Sequence, residues 1–270
     1  MVVTGDPSTG SGFRFEDVTV RGDAPRRRRG EPATGPTILD GIDLTIGRGL
    51  LTVVAGPSGS GKSTLLRLCN RLEVPTEGRI LLDDRDIAAL DPLELRRRAG
   101  MVFQRPVVFA GTALDNLRVA RPDISVGDAV VALAGVGLDP AIADRQADDL
   151  SGGEAQRLCI ARSLLTDPDI LLMDEATSAL DVDARQTIEH LTRSLGDEGL
   201  TVVWVTHDLE QAERLADRLV VVVGGRVVGD DAAAEAVARR SFAGLAAAPA
   251  DRDVPSARSR PAPGDGGCAP

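Results

Sequence analysis

The sequence predicts an α/β fold in which a mixed, mostly parallel sheet is flanked by helices. Three apolar runs support this prediction. Leu50–Ala55 leads directly into a glycine-rich loop and then into a helical segment, Lys62–Leu72. Ile170–Met173 ends in two carboxylates, and Thr201–Thr206 is followed by a histidine. Strands that alternate with helices and present polar side chains at their carboxyl ends are typical of parallel sheets with a ligand site at that edge.

Two strands are predicted before these runs. Phe13–Val20 alternates apolar and polar side chains, and Ile38–Ile46 is the second strand. Between them, residues Arg21–Pro36 are rich in glycine and proline and include four consecutive arginines, Arg26–Arg29. This composition predicts a solvated, charged loop. Contact of the arginines with anionic lipid is the alternative.

The glycine-rich loop has the phosphate-binding pattern G-x-x-x-x-G-K-[ST]. Its residues are Gly56, Pro57, Ser58, Gly59, Ser60, Gly61, Lys62, Ser63 and Thr64. In such a loop, backbone N–H groups at the start of the following helix bind phosphate oxygens. Lys62 would place its ammonium against the β and γ oxygens, and Ser63 would offer a hydroxyl to Mg²⁺. The loop therefore predicts a P-loop NTPase core that binds a nucleotide.

The remaining elements follow from composition and turn residues. Arg79–Leu82 and Gly100–Phe103 are predicted as short strands, and residues from about 106 to 149 as helical, because they are rich in alanine, leucine and valine. A valine-rich hairpin is predicted at Leu219–Val228. Beyond about Ala243 large apolar residues are almost absent, which predicts a disordered tail.

A second motif narrows the prediction to a family. Leu150-Ser151-Gly152-Gly153-Glu154 lies about 90 residues after the phosphate loop and precedes Asp174-Glu175. In this order the motifs resemble those of the ATP-binding cassette (ABC) ATPases, the nucleotide-binding subunits of ABC transporters, over residues 13–235. The resemblance implies an N-terminal antiparallel β subdomain and a helical subdomain inserted into the ATPase core. The implied division is residues 13–104 for the β strands and first part of the core, 105–150 for the helical subdomain, 151–242 for the remaining core and 243–270 for the tail.

The resemblance also implies roles for single residues. Asp174 would bind Mg²⁺ through water, and Glu175 would act as general base on the water that attacks ATP. Gln104 would sense Mg²⁺ and that water, and His207 would contact the γ-phosphate. The implied catalytic residues are thus Lys62, Gln104, Glu175 and His207, and the implied magnesium ligands are Ser63, Gln104 and Asp174.

Pairing of two cassettes is a further implication. In the family, Ser151, Gly152 and Gly153 dock on the γ-phosphate held by the other subunit, and Ser178–Asp181 resembles the loop that crosses between subunits, so that Asp181 also belongs to the nucleotide site. Two copies, or this chain and a second cassette, would enclose two ATP molecules head to tail. Permease subunits encoded separately would hold the pair at the cytoplasmic face of a membrane, because apolar runs such as Leu219–Val223 are too short to span a bilayer.

Composition bears on the competing functions. The net charge of −10 and sequence pI near 4.8 disfavour a nucleic-acid partner. The alternative function is a soluble ABC-type ATPase of DNA repair or translation, but no coiled-coil insertion or second cassette is evident. A small P-loop kinase or GTPase would have no use for the Ser151 motif. The three cysteines lack zinc-site or disulfide spacing, and Cys69 and Cys159 are predicted to be core residues.

One departure from the family concerns the base of the nucleotide. ABC ATPases usually stack adenine on an aromatic side chain after the first strand, whereas this chain has no tyrosine and places Arg21 or Gly22 there. Either the Arg21 guanidinium stacks on the adenine, or the base has no such contact. The sequence also does not identify the transported substrate, because short segments resemble different branches of the family. Residues 107–112 resemble a segment of exporter cassettes, residues 204–208 resemble cassettes linked to metal export, and residues 70–72 resemble phosphate importers.

Overall fold

The computed structural model describes residues 12–22, 35–178 and 180–245. The Arg26–Arg29 loop and the tail after residue 245 lie outside the described residues. The strands are β1 (Phe13–Arg21), β2 (Thr37–Ile46), β3 (Leu51–Ala55), β4 (Glu77–Leu82), β5 (Arg85–Asp86), β6 (Ala99–Val102), β7 (Ile170–Asp174), β8 (Thr201–Thr206), β9 (Arg218–Val223) and β10 (Arg226–Val227). The α-helices are α1 (Lys62–Cys69), α2 (Pro92–Arg98), α3 (Ala113–Ala120), α4 (Val126–Gly135), α5 (Gly152–Leu164), α6 (Val182–Asp197), α7 (Leu209–Leu215) and α8 (Asp230–Arg239).

The described strands form two sheets. The first is antiparallel, with the order β2-β1-β4-β5. The second has the order β10-β9-β3-β8-β7-β6, in which only the β9–β10 pair is antiparallel. The predicted fold class, a mostly parallel core sheet flanked by helices together with an antiparallel amino-terminal sheet, is confirmed.

The larger sheet is buried on both faces. Side chains alternate between two apolar clusters along each central strand: Val53 and Trp204 belong to one cluster, and the neighbouring Val54 and Val203 belong to the other. The first cluster packs against α3 to α7, and the second against α1 and the antiparallel sheet. Because both faces are covered, the central strands read as continuous apolar runs instead of alternating ones.

Helix α1 ends earlier than the sequence predicts. It stops at Cys69 and not at Leu72, because Arg71 adopts a left-handed conformation with φ of 55°. The Leu72 N–H then donates to the Arg67 carbonyl at 3.0 Å, and the Arg71 N–H donates to the Leu68 carbonyl at 3.2 Å. This pair of bonds is a Schellman motif. This motif usually has glycine at the left-handed position. Because this chain has arginine there, the sequence does not indicate that the helix ends at Cys69.

The segment between β6 and α5 is less helical than predicted. It contains α3, α4 and two short 3₁₀ turns, Pro140–Asp144 and Ala147–Asp149, whereas the residues before α3 form an irregular loop. Asn116, which is fully buried on α3, fixes this loop by accepting from the Phe109 N–H at 2.8 Å and donating to the Phe109 carbonyl at 2.9 Å. A single buried side chain therefore replaces helical hydrogen bonds here.

Four charged side chains connect the two sheets. Asp83, in the turn after β4, accepts hydrogen bonds from Arg48 at 2.8 Å and from Arg98 at 2.6 Å. Arg98 also donates to Asp169 at 2.7 Å. Burial raises the pKa of the Asp83 carboxyl, but the hydrogen bonds from Arg48 and Arg98 outweigh burial and leave the pKa below its ordinary value.

Cys69 and Cys159 are buried free thiols, as predicted. Burial raises the pKa of both, which keeps them protonated and unreactive. Within the described ranges, no helix combines the length and the apolar character needed to cross a membrane.

Candidate functional site

The phosphate loop lies between β3 and α1 and is too crowded for side chains at two of its glycines. A Cβ on Gly56 would lie 2.1 Å from the Val222 carbonyl oxygen. Gly61 has a φ of 99°, and a Cβ there would lie 2.6 Å from Leu39 Cδ2. Glycine is therefore required at both positions for the loop to fold over the start of α1.

Lys62 is the buried cation of this loop. Only 4% of it is exposed, and its ammonium donates to the carbonyls of Gly56 and Pro57, both at 2.9 Å. Burial lowers the pKa of Lys62, while the carboxylates of Glu175 and Asp174 act in the opposite direction. A buried ammonium at the amino terminus of a helix is a favourable place for an anion.

An unpaired hydroxyl lies in the same loop. Ser60 is 4% exposed, and its buried Oγ has no hydrogen-bond partner in the structure. Buried polar atoms are normally paired, so a phosphate oxygen within reach of this hydroxyl would satisfy it. Together with Lys62 and the helix terminus, Ser60 shows that the loop fits the phosphates of a nucleotide.

Ser63 and Asp174 meet beside the loop. Ser63 Oγ donates to Asp174 Oδ1 at 2.7 Å, and the Arg67 guanidinium lies 3.6 Å from Asp174 Oδ2. A hydroxyl and a carboxylate are oxygen ligands of the kind that Mg²⁺ uses, usually together with water and substrate phosphates. No group of three metal-ligating residues occurs in the described part of the chain. A magnesium ion here would therefore depend on the nucleotide for further ligands.

The other three predicted catalytic residues all lie close to the carboxylate of Glu175. Its carboxylate accepts from Gln104 Nε2 at 3.2 Å, and it lies 3.3 Å from His207 Nδ1 and 3.9 Å from Lys62 Nζ. The Glu175 side chain is 16% exposed, whereas that of His207 is 51% exposed. The structure therefore brings together, from four separate parts of the chain, the four residues that the family resemblance implies for catalysis.

A small cavity opens beside Glu175. Its volume is about 120 Å³, and Ser178, Thr206 and His207 are among its lining residues. Ser178 Oγ accepts a second hydrogen bond from Gln104 Nε2 at 3.2 Å. Sequence reasoning had placed Ser178 only in the loop between subunits, and it missed Arg67 entirely. No motif spacing in the sequence indicates that Ser178 contacts Gln104 or that Arg67 lies beside Asp174.

Ser151 and Asp181 lie in a different part of the molecule. Each caps a helix: Ser151 Oγ accepts from the Glu154 N–H at 3.3 Å on α5, and Asp181 Oδ1 accepts from the Ala184 N–H at 2.8 Å on α6. Both line a separate cavity of about 400 Å³ with Gly152 and Gly153. Within the described residues, the lining of that cavity includes no residue of the phosphate loop.

The position predicted for base contact has other partners. The Arg21 guanidinium lies 3.2 Å from Glu77 Oε1, and the Arg21 N–H donates to Thr76 Oγ1 at 3.0 Å. The Gly22 N–H donates to the Pro36 carbonyl at 2.9 Å. Stacking of Arg21 on adenine would therefore compete with an existing ion pair.

Comparisons with known proteins identify the family. A family model described as ABC transporter matches residues 39–178. Protein STAR1 of Oryza sativa subsp. japonica is 48% identical over 207 residues, which make up 74% of this chain and 59% of that protein. The chain thus spans less than two thirds of that relative's length.

Two solved structures agree in fold. CbiO1 from Clostridium perfringens, described as part of the ABC transporter complex CbiONQ, has a TM-score of 0.71 at 27% identity, over 86% of this chain and 94% of its own. The ATP-binding cassette MJ0796, solved as a dimer in a post-hydrolysis state bound to ADP and Pi, has a TM-score of 0.69 at 32% identity, over 80% and 97% respectively. With the motif order and the two-sheet fold, these matches show that the chain belongs to the ABC transporter family of ATP-binding cassettes.

Proposed function

We propose that this chain is the ATP-hydrolysing subunit of a membrane transporter whose membrane-spanning subunits are separate chains. The observation that supports it best is the convergence of Lys62, Gln104 and His207 on the Glu175 carboxylate. Phosphoryl transfer to water needs phosphate binding, charge stabilisation and an oriented water, and these side chains can supply all three.

Each residue has a distinct role in this proposal. Lys62 and the loop N–H groups would hold the phosphates of ATP, and Ser63 and Asp174 would hold Mg²⁺. The ion would neutralise phosphate charge when bound. Glu175 accepts the proton of the attacking water, since it is a carboxylate at the edge of a cavity large enough for water molecules. Gln104 and His207 hold that carboxylate in place.

The arrangement also supports a paired active site. Ser151 and Asp181 line a cavity apart from the phosphate loop, so in one chain they have no nucleotide to contact there. The related cassette MJ0796 was solved as a dimer. We infer that Ser151, Gly152 and Gly153 of one copy complete the site of the other, head to tail.

A mixing experiment tests this pairing. Ser151→Arg and Lys62→Ala should each abolish ATPase activity when purified alone. A mixture contains dimers in which one site has an intact phosphate loop and an intact Ser151, and random pairing predicts recovery of about a quarter of wild-type activity. Specific activity that does not change on dilution of the wild-type protein would indicate a monomeric enzyme and would contradict the proposal.

An exposed apolar surface supports a membrane partner. Phe103, Val107 and Phe109 are 41%, 54% and 45% exposed, on the loop that begins next to Gln104. Apolar residues grouped at the surface commonly mark an interface. Docking of a permease subunit there would place the chain at the cytoplasmic face of its membrane and would couple the partner to the catalytic cavity through Gln104.

A further inference from the structure

A buried polar cluster lies beside the Glu175 cavity. Its centre is Gln211 on α7, which is 4% exposed. The Gln211 amide oxygen accepts from Trp204 Nε1 at 3.3 Å, and the amide nitrogen donates to Thr177 Oγ1 at 3.0 Å and to Glu189 Oε1 at 2.7 Å. These four residues, all buried, are called the Gln211 cluster below.

The chemistry of the partners fixes the orientation of the amide. The indole N–H of Trp204 can only donate, and the carboxylate of Glu189 accepts, so the amide must turn its oxygen to the first and its nitrogen to the second. The second amide hydrogen then goes to Thr177. Glu189 receives its remaining bonds from the Arg214 guanidinium at 3.2 and 3.3 Å. Loss of the amide would leave a buried donor and a buried carboxylate with fewer partners, which is costly.

The cluster joins the two segments that meet at the catalytic carboxylate. Thr177 follows Glu175 by two residues and adjoins Ser178, which binds Gln104. Trp204 precedes His207 by three residues on β8. Gln211 itself lines the cavity with Glu175 and His207. Hydrogen bonds from one amide therefore link the backbone that presents Glu175 to the strand that presents His207.

We propose that Gln211 is a positioning residue for ATP hydrolysis, which sets the separation between the Glu175 carboxylate and His207 through Thr177 and Trp204. It contacts no reacting atom and acts through those two residues. This inference rests on the proposed function, in which Glu175 accepts the proton of the attacking water.

Three variants test the role of the amide. Gln211→Met keeps the length of the side chain and removes its hydrogen bonds. Thr177→Val removes one bond at nearly constant volume, and Thr177→Ser retains that bond. The matched control is Thr19→Val on β1, because Thr19 is also buried and its hydroxyl accepts from the Gly41 N–H at 3.1 Å, outside the Gln211 cluster.

Steady-state kinetics should separate positioning from general stability. We expect Gln211→Met and Thr177→Val to lower kcat about tenfold, equivalent to about 1.4 kcal/mol of activation free energy. The KM for ATP should change less than about twofold, because the phosphate loop is untouched. Thr177→Ser should restore most of the rate lost in Thr177→Val. Thr19→Val should lower the melting temperature without lowering kcat.

The sole tryptophan of the chain gives an independent measurement. Trp204 is fully buried and its indole N–H bonds to Gln211. Loss of that bond in Gln211→Met should shift tryptophan emission to shorter wavelength in the folded protein, whereas Thr19→Val should leave the emission unchanged. If Gln211→Met does not fold, the comparison of Thr177→Val with Thr177→Ser decides the question alone.

Several results would overturn the inference. These are a wild-type kcat in Gln211→Met or in Thr177→Val, an equal loss in Thr177→Ser, or an equal loss in Thr19→Val. None of these results concerns ATP hydrolysis by the wild-type chain, so the proposed function would still stand. If the wild-type chain hydrolysed no ATP under conditions where it binds the nucleotide, the proposed function would fail instead.

Discussion

Glu175 has an unusual backbone for a residue that is not glycine. Its φ is 44°, and its N–H donates to the Val205 carbonyl at 3.2 Å. A left-handed conformation costs roughly 1–3 kcal/mol at a non-glycine residue and persists only where the surroundings enforce it. Here β8 enforces it, and the conformation turns the Glu175 side chain towards Gln104 and His207.

Replacement of Glu175 by glutamine tests its role as general base. Glu175→Gln keeps the size of the side chain but cannot accept a proton at neutral pH. We expect Mg-ATP binding to be retained, turnover to fall at least about a hundredfold, and ATP-bound dimers to accumulate. Phosphate release and size-exclusion chromatography with ATP measure these outcomes. ATPase activity near that of the wild type would remove Glu175 from the mechanism.

Arg21 can be tested for contact with the base of the nucleotide. If its guanidinium leaves Glu77 to stack on adenine, Arg21→Ala should weaken ATP binding, and Glu77→Gln should strengthen it by freeing the arginine. If the base has no contact, both variants should bind ATP like the wild type. In either case we expect ATP and GTP affinities within about tenfold of each other, or about 1.4 kcal/mol, by calorimetry. A strong preference for ATP that survives Arg21→Ala would point to another side chain.

The sequence predicted the functional residues that lie within motifs. It did not predict residues whose role depends on contacts that form only in the folded chain. Lys62 and Glu175 are recognisable from neighbours in sequence. Gln211 is not, because its three side-chain hydrogen bonds depend on β8, α6 and the segment after β7 coming together. No local pattern marks a glutamine as the centre of a buried cluster.

The loop before α3 shows how an irregular element can be held rigidly. Asn116 binds both backbone groups of Phe109, and Arg162 on α5 donates to the Val107 carbonyl at 2.7 Å while its guanidinium lies 4.6 Å from the centre of the Phe109 ring. The apolar side chains on this loop are thus presented to solvent and tied to α5, the helix that Ser151 begins. Helical periodicity could not predict this loop, because side chains from other elements determine its shape.

A charge on this loop should separate docking from folding. Phe109 is 45% exposed, so we expect Phe109→Asp to fold and to hydrolyse ATP, while co-purification with membrane subunits is lost. The matched control is Val126→Asp, which changes a residue 59% exposed at the first turn of α4, where a negative charge is favourable. Unfolding of Phe109→Asp would show that the loop is part of the core. Equal loss of co-purification in both variants would argue against a specific surface.

At the scale of the whole molecule, the two sheets are tied together by the charges around Asp83. Because the folded-state pKa of Asp83 is depressed, its contribution to stability is present above about pH 4 and is lost as the pH falls through the folded-state value. Salt should weaken the contribution, since these side chains are partly exposed.

Removal of this charge should therefore lower stability in a pH-dependent way. We expect Asp83→Asn to reduce the free energy of unfolding at pH 7 by about 1 kcal/mol, or the melting temperature by 2–4 °C, with a difference that narrows below about pH 4. Urea titrations across pH measure it. Asp84→Asn is the control, because Asp84 shares the left-handed backbone but pairs at an exposed position with Arg14. An equal effect of both variants would show that the turn, and not the pairing, matters.

The strand order also has a consequence for the nascent chain. The antiparallel sheet is built from residues 13–86 and can form early, whereas β3 pairs, among the described strands, with β8 and β9, about 150 residues later. At a synthesis rate of about 5–20 residues per second, roughly 7–30 seconds pass between emergence of the phosphate loop and of the strands that bury β3. During that interval the apolar strand β3 has no partner strands to pair with. Chaperone dependence during translation should therefore centre on β3, and a stall between α5 and β8 should leave the chain most prone to aggregate.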